Sequence, residues 1–271
     1  MSPTRAAIRY PGGKWKLAPW IIEHFPPHDI YVEPFCGAAS VLMQKKRARQ
    51  GEVLNDLDGD VVNLFRLLRE PEEAKRLIEQ IELTPFARAE FEESYAEAEE
   101  PIEKARRYLI RAYMGQGSCL NYRNNGFRSR RNSDKFPARD WQLYPESLVF
   151  VIQRLQGVVI ENQPAAEVIA RYDSPQTLFY CDPPYVWKSR SSYASRQYRH
   201  EMTDDDHAEL ASVLHRIKGM AIISGYKSEL YDRLFKDWKC YTHWHNKDRG
   251  ACSEECIWIS PSCAALQTKL F

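Results

Sequence analysis

The strongest constraint on the fold is a repeated pattern of short apolar runs separated by helical segments. The runs are β-prone and end at turn signals or polar residues, as buried strands do. Helical patterns lie between most of them, and such alternation predicts an α/β fold with a mostly parallel sheet flanked by helices. The five predicted strands are 29–35, 52–57, 157–162, 177–182 and 219–226.

Local signals refine this outline. After the second strand, DGDVVNLFRLLR predicts an amphipathic helix whose apolar face holds Val61, Val62, Phe65 and Leu68. Thr203 precedes three acids and an apolar pattern, which predicts a helix N-cap. Near the end, CYTHWHN and ECIWIS are β-prone runs joined by a polar stretch, so we expect a terminal antiparallel hairpin.

Residues 71–150 interrupt the alternation. They are helix-rich at first and then strongly basic, and Asn125-Gly126 between aromatic flanks predicts a hairpin turn. A basic, aromatic hairpin suits insertion into a DNA groove, but a solvated basic loop explains the same composition. The segment 121–139 has six basic residues, Arg123, Arg128, Arg130, Arg131, Lys135 and Arg139, against one acid, Asp134.

Charge and cysteine content limit the classes of function. The 271 residues carry a net charge of +1, so a nucleic-acid surface requires segregated basic patches. There is no signal-peptide pattern and no apolar run of membrane-spanning length, so we expect a cytoplasmic protein. Seven scattered cysteines fit a reducing compartment. A zinc site lacks the usual ligand spacing among its candidates, Cys240, His243, His245, Cys252 and Cys256.

The stretch YCDPPYVW places an acid, two prolines and an aromatic ring directly after a buried strand. The prolines cannot extend a strand ladder and fix φ, so Asp182-Pro183-Pro184-Tyr185 must form a stiff turn that leaves the sheet. Open α/β sheets bind ligands at the carboxyl ends of their strands. The D-P-P-Y turn is therefore a candidate binding site.

Three further features suggest a nucleotide-like ligand. YVEPFCGAAS, residues 31–40, joins a strand to a glycine turn and a helix start, and Asp56 ends the next strand, where an acid can hold ribose hydroxyls. RYPGGK, residues 9–14, adds a Gly-Gly turn with an aromatic and a lysine. The glycines of a G-x-G-x-x-G motif are missing, which disfavours a dehydrogenase. The pattern indicates an adenosine-like cofactor without a pyrophosphate.

In this order the motifs resemble those of Dam-like DNA adenine methyltransferases. That family has [WY]-x-GGK, E-P-F-x-G-x-G-S, an Asn/Asp motif, a target-recognition region and then D-P-P-Y. Here they read Tyr10 to Lys14, Glu33 to Gly37, Asn55-Asp56, the 71–150 insertion and Asp182 to Tyr185. Two positions depart from the pattern. Ala39 replaces a frequent second glycine, and SGYKSE stands where many relatives have an Asn-containing loop.

The resemblance implies a Rossmann-like methyltransferase sheet and S-adenosyl-L-methionine as cofactor, with S-adenosyl-L-homocysteine as product and no metal. Asp182 and the Pro183 carbonyl would accept hydrogen bonds from the adenine amine, Pro184 would stiffen the turn, and Tyr185 would stack on the flipped base. By the same resemblance, Asp56 would hold the ribose, Glu33 would orient the turn or reach the methionine amine, and the cofactor site would include Tyr10, Lys14, Phe35 and Gly37.

The resemblance also divides the chain by role. Residues 1–70 and 151–271 would form the catalytic domain, and 71–150 a helical and hairpin insertion that recognises double-stranded DNA. Base reading would fall to Arg123, Asn124, Arg128 and Arg130, with Arg131 nearby. In the loop after the D-P-P-Y turn, phosphate contacts would come from Lys188, Arg190, Arg196 and Arg199.

Two other functions stay open at the level of sequence. Enzymes that methylate the guanine amine in ribosomal RNA also carry D-P-P-[YF], although RYPGGK and the basic segment favour DNA. A DNA-binding module without catalysis is the second alternative, and the intact D-P-P-Y turn argues against it. The family further suggests a monomer associated with the nucleoid through DNA. The sequence leaves open whether the enzyme stands alone, is phage-borne and promiscuous, or accompanies a cognate restriction nuclease that acts on the same site without being bound.

Overall fold

The fold was analysed in a computed structural model, which describes residues 3–117, 126–129, 136–190, 198–246 and 252–267. Its centre is a single seven-stranded sheet with the strand order β3-β2-β1-β4-β5-β7-β6. The first five strands are parallel, and β7 runs antiparallel to both β5 and β6. The strands are β1 (Ile30–Glu33), β2 (Gly51–Asn55), β3 (Val158–Glu161), β4 (Thr177–Cys181), β5 (Met220–Gly225), β6 (Lys239–Asn246) and β7 (Cys252–Ile259).

This sheet confirms the α/β class, the five parallel strands and the terminal antiparallel hairpin. Every residue of β4 and β5 is buried, because both strands lie between layers of helices. Alternate residues along β4 face opposite sides: Phe179 joins one hydrophobic core, and Leu178 and Tyr180 join the other. The result is a sheet between two separately packed apolar layers.

Twelve helices surround the sheet in the described part of the chain. The first six are α1 (Ala18–Glu23), α2 (Ser40–Gln44), α3 (Gly59–Arg69), α4 (Pro71–Leu83), α5 (Arg88–Glu93) and α6 (Pro101–Met114). The others are α7 (Pro137–Gln142), α8 (Tyr144–Leu155), α9 (Ala165–Tyr172), α10 (Asp204–Leu214), α11 (Glu229–Leu234) and α12 (Pro261–Gln267), with a short 3₁₀ turn at Trp187–Ser189. The predicted apolar face of α3 is buried, and Thr203 caps α10 with a reciprocal bond to Asp206.

The 71–150 segment packs directly against the sheet layer. Its helices share one continuous hydrophobic core with the N-terminal part of the chain, including Leu42 and Phe65 on one side and Tyr108 and Leu148 on the other. Helix α8 also continues through residue 150, where the sequence suggested a domain boundary. The division into a catalytic domain and an insertion therefore stays a prediction.

The predicted basic hairpin is only partly covered by the described residues. Asn125 and residues 130–135 lie outside them. Phe127 forms an antiparallel bridge with Gly115, and residues 137–139, which were included in the hairpin, begin helix α7 instead. Pro137 explains this difference, since proline is favoured in the first turn of a helix.

The order of the strands creates the place where a ligand binds. The chain reverses its direction of strand addition between the neighbouring strands β1 and β4, and crevices form at the carboxyl ends of strands at such a switch point. The D-P-P-Y turn follows β4, and the glycine turn follows β1. No helix in the described ranges combines the length and apolar character needed to cross a membrane.

Candidate active site

Asp182 lies at the carboxyl end of β4, in contact with the neighbouring strand. Its Oδ1 atom is 3.0 Å from the Ser224 hydroxyl, near the end of β5. Ser224 is in turn 2.9 Å from the Tyr180 hydroxyl. If Tyr180 donates to Ser224 and Ser224 donates to Asp182, one proton serves each contact. This chain of hydroxyls fixes the orientation of the carboxylate.

Lys14 reaches the same carboxylate from the N-terminal Gly-Gly turn. Its ammonium nitrogen is 3.0 Å from Asp182 Oδ1 and donates to the Gly12 carbonyl at 2.7 Å. The side chain is only 6% exposed. Burial alone would lower the Lys14 pKa, but the nearby carboxylates of Asp182 and Glu255 outweigh it and raise the pKa above its usual value. Lys14 is therefore a charged group inside the site.

Tyr185 is buried beside this ion pair. Its hydroxyl donates to the Glu255 carboxylate, and the Lys14 ammonium lies 4.8 Å from the centre of its ring. Tyr226 packs edge-on against it with the ring centres 4.7 Å apart. Because of these contacts, both the hydroxyl and the ring of Tyr185 are held in one orientation.

The glycine turn after β1 is bound to the end of β2 through Asp56. The Gly37 amide donates to Asp56 Oδ2 at 2.9 Å, and the Asp58 amide donates to Oδ1 at 2.9 Å. Burial raises the Asp56 pKa to about 6, although these amide donors act in the opposite direction. The Asp56 carboxylate thus ties the glycine turn after β1 to the end of β2.

Glu33 anchors the other side of this turn. Its Oε1 atom accepts from the Tyr31 hydroxyl at 2.9 Å and from the Leu42 amide of helix α2 at 2.8 Å. The side chain is almost fully buried, and burial raises the Glu33 pKa to about 8. These contacts tie Glu33 to strand β1 and helix α2, on either side of the glycine turn, and its role in orienting that turn stays a prediction.

These groups border a cavity of about 960 Å³, large enough for a nucleoside-sized ligand. The predicted residues Tyr10, Phe35 and Gly37 line it together with Lys14, Glu33, Asp56, Asp182 and Pro184. Gly37 has a φ of +45°, and a Cβ atom there would lie 2.8 Å from two carbons of the Tyr10 ring. Pro183 and Tyr185 are buried in the turn behind the lining residues.

The loop that leads into helix α10 covers another side of the cavity. Arg199 contacts Asp58 at 3.0 Å and Asp60 at 2.8 Å, so the loop is held to the start of helix α3. The Tyr198 hydroxyl donates to the Pro11 carbonyl at 3.3 Å. This loop therefore joins the α3 side of the cavity to the Gly-Gly turn.

The predicted DNA-contacting residues have different surroundings. Lys188 is exposed. Arg190 forms two bonds with the Glu201 carboxylate, at 3.0 and 2.7 Å, and one with the Tyr185 carbonyl, so it braces the D-P-P-Y turn. Arg128 approaches Asp140 at 3.5 Å. Arg123, Asn124, Arg130, Arg131 and Arg196 lie outside the described residues, and all these DNA contacts stay predictions.

Two residues of the site were not predicted from the sequence. Ser224 is in the segment that departs from the family pattern, and Glu255 is in a run identified only as a strand. Strand β7 runs antiparallel to β5, so its beginning lies beside the carboxyl ends of β4 and β5. Glu255 directly follows Ser253 and Glu254 in this strand, so its polarity gave no local signal, and the strand order was needed to place it beside the site.

Within the described ranges, no group of three or more His, Cys, Asp or Glu side chains is arranged to hold a metal ion. The described candidates for the zinc site considered above instead belong to strands β6 and β7. His243, for example, stacks on Trp20 with the ring centres 5.0 Å apart. The side chains that line the cavity include carboxylates, hydroxyls, the Lys14 ammonium, the Arg199 guanidinium, the His200 imidazole and aromatic rings.

Known proteins match this chain over most of its length. The D12 class N6 adenine-specific DNA methyltransferase family matches residues 10–250. The chain is 27% identical over 247 residues to a DNA adenine methylase of Vibrio cholerae, covering 87% of this chain and 86% of that protein. It is 26% identical to the DNA adenine methylase of Escherichia coli K12, covering 79% and 76%, and 23% identical to that of Serratia marcescens, covering 90% and 89%. The chain belongs to the D12 class of N6 adenine-specific DNA methyltransferases.

Proposed function

We propose that this chain binds S-adenosyl-L-methionine in the 960 Å³ cavity and methylates the exocyclic amine of an adenine flipped out of double-stranded DNA. The observation that carries the proposal is the position of Asp182, at the end of β4 on the wall of that cavity, with Tyr185 in the turn beside it. A carboxylate and an aromatic ring in one rigid turn can bind the edge and the face of one base.

The donor set of the cavity fits the cofactor. The Asp56 carboxylate already accepts the backbone amides of Gly37, Leu57 and Asp58; a carboxylate has about four lone-pair sites, so one remains to accept a ribose hydroxyl. The Tyr10 and Phe35 rings supply apolar surface for a purine. When bound, S-adenosyl-L-methionine supplies the electrophilic methyl group. Tyr10, Lys14, Glu33, Phe35, Gly37, Asp56 and Asp182 are the residues proposed to form this site.

Asp182 would act on the target amine through its second oxygen. The shortest contacts from Ser224 and Lys14 both go to Oδ1, so among the described residues Oδ2 is left to accept an amine hydrogen. The Pro183 carbonyl would accept the other hydrogen, and Pro184 keeps the turn rigid. The amine nitrogen gains positive charge as it forms the new bond, and the Asp182 carboxylate stabilises that charge electrostatically.

Base flipping is part of the proposal because the amine is inaccessible inside a duplex. Extrusion costs a few kcal/mol, and stacking on Tyr185 would offset about 1–3 kcal/mol of it. The exposed Lys188 is a candidate phosphate contact. We further propose that the enzyme acts as a monomer in the cytoplasm, associated with the nucleoid, and that any partner nuclease shares its DNA site without binding to it.

The experiment is a methyl-transfer assay with methyl-labelled S-adenosyl-L-methionine and unmethylated genomic DNA. Ribosomal RNA serves as the competing substrate, and modified bases are mapped afterwards. We expect methyladenine in DNA, with loss of labelling in Asp182→Ala and normal labelling in the surface variant Asp237→Asn. Cofactor binding with label in RNA alone would replace the proposal with the RNA alternative. Binding of cofactor without any transfer would favour an inactive DNA-binding module.

A further inference from the structure

Glu255 is a buried carboxylate in the active site for which the reaction proposed above supplies no role. It is 3% exposed, in strand β7, and belongs to no motif of the sequence analysis. Its Oε1 atom lies 3.5 Å from the Lys14 ammonium and accepts the Tyr185 hydroxyl. A buried charge is costly unless it is paired, and here both partners are residues of the proposed site.

The Lys14 ammonium lies between two carboxylates. It is 3.0 Å from Asp182 and 3.5 Å from Glu255. At equal dielectric, the two attractions differ by the ratio of these distances, so Glu255 holds the ammonium about six-sevenths as strongly as Asp182 does. Lys14 therefore has a second counter-ion of nearly equal strength within the site.

This arrangement decides the charge available to the substrate. Counted as ionised groups, one ammonium and two carboxylates give the cluster one net negative charge. Without Glu255, Lys14 would neutralise Asp182, and the pair would carry no net charge. An amine that becomes cationic during methyl transfer is stabilised by the first arrangement and not by the second.

We propose that Glu255 is a positioning residue for methyl transfer, which holds the Lys14 ammonium so that Asp182 keeps its charge for the target amine. This inference rests on the proposed function. Glu255 need not touch the substrate, because it acts through Lys14. Its contact with the Tyr185 hydroxyl offers a different route, through the aromatic ring, and the experiment must separate the two.

The test compares Glu255→Gln with Tyr185→Phe in single-turnover methylation of unmethylated genomic DNA at saturating cofactor. The amide oxygen of the new glutamine still accepts a hydrogen bond from the Tyr185 hydroxyl, but the side chain carries no charge. Tyr185→Phe keeps the charge of Glu255 and removes the hydroxyl. We expect Glu255→Gln to lower the rate by about 10- to 100-fold while cofactor affinity stays within about twofold of wild type. Tyr185→Phe should lower the methylation rate much less. A loss in Tyr185→Phe as large as that in Glu255→Gln would overturn the proposal.

A double-mutant cycle with Lys14→Met supplies the second readout, which a purely structural role would not produce. If Glu255 acts by holding Lys14, adding Glu255→Gln to Lys14→Met should change the rate less than threefold, a clear departure from multiplicative effects. Fully multiplicative losses would refute the mechanism. Glu255→Asp keeps the charge on a shorter side chain, and it should recover part of the rate lost in Glu255→Gln.

A measurement without DNA separates failure of this inference from failure of the proposed function. Acetic anhydride modifies unprotonated lysines, so loss of the Glu255 charge should make Lys14 more reactive relative to the exposed Lys236, as read by peptide mass spectrometry. If the reactivity of Lys14 is unchanged in Glu255→Gln, the ion pair between Lys14 and Glu255 is refuted, whether or not the enzyme methylates DNA. Increased reactivity in a protein that methylates no DNA would retain the ion pair and reject its catalytic role together with the proposed function.

Discussion

Replacing Gly37 with alanine should damage both stability and cofactor binding. Gly37 has a φ of +45°, in the left-handed region, and an added Cβ would lie 2.8 Å from both Cδ1 and Cε1 of Tyr10. The left-handed conformation costs an alanine about 1–2 kcal/mol. Alanine also restricts the unfolded chain more than glycine does, which offsets about 0.4–1 kcal/mol of this cost. The backbone alone therefore leaves a cost of about 1 kcal/mol or less.

Steric overlap makes the larger contribution. Overpacking of this kind costs about 1–3 kcal/mol, so the free energy of unfolding should fall by about 1–4 kcal/mol in total. For a chain of this size 1 kcal/mol corresponds to about 2 °C, so the midpoint of thermal unfolding should drop by about 2–8 °C. Tyr10 lines the cavity, and any shift of its ring should also weaken S-adenosyl-L-methionine binding, which isothermal titration calorimetry measures.

Two variants separate the strain from the overlap. Ala39 has a φ of 51°, so Ala39→Gly relieves a backbone strain similar to the one that Gly37→Ala creates. The same substitution removes a buried methyl group worth about 0.8 kcal/mol, so the free energy of unfolding should change little. In a Tyr10→Ala background, Gly37→Ala should cost only its backbone strain. The reasoning fails if Gly37→Ala melts and binds cofactor like the wild type, or if Tyr10→Ala does not reduce its cost.

Three further predictions concern charge. Burial raises the Glu33 pKa to about 8, so between the usual carboxyl pKa and pH 8 the native state binds more protons at this residue than the unfolded state does. The free energy of unfolding should therefore fall as the pH rises toward 8, and Glu33→Gln should remove this pH dependence in urea unfolding. With the Asp56 pKa at about 6, cofactor affinity measured by calorimetry should weaken as pH drops below 6, but not in Asp56→Asn. Lys188→Gln should reduce the salt dependence of DNA binding by about one phosphate contact. Arg190→Gln should lower thermal stability, because the Arg190 guanidinium binds Glu201, and its effect on the same salt dependence tests the phosphate contact predicted for Arg190.

The sheet was predictable because its signals are local. Each parallel strand is a short apolar run bounded by turn residues, and the amphipathic pattern of α3 places Val62 and Phe65 on its buried face. The Thr203 cap was also visible, since a hydroxyl followed by acids is a local motif. The limit of residue 150 for the insertion was less secure, because helix α8 runs through it without a break.

The site was predictable only where a residue belongs to a contiguous motif. Asp182 and Tyr185 stand in D-P-P-Y, and Asp56 follows a strand, so the sequence indicated all three. The residues that set the charge and orientation of these three side chains are distant from them in the sequence. Arg190 is paired with Glu201, a contact that its basic sequence context did not indicate, and its predicted phosphate contact stays a prediction.

Strand order explains why the electrostatics of Asp182 could not be derived from its motif. The carboxylate is contacted by Lys14 from the N-terminal turn and by Ser224 from β5, and Glu255 from β7 holds the same lysine. The β7 residue reaches the site only because that strand is antiparallel and lies next to β5. The D-P-P-Y turn provides the acceptor, but the charge that this acceptor presents to an amine depends on side chains brought from both ends of the chain.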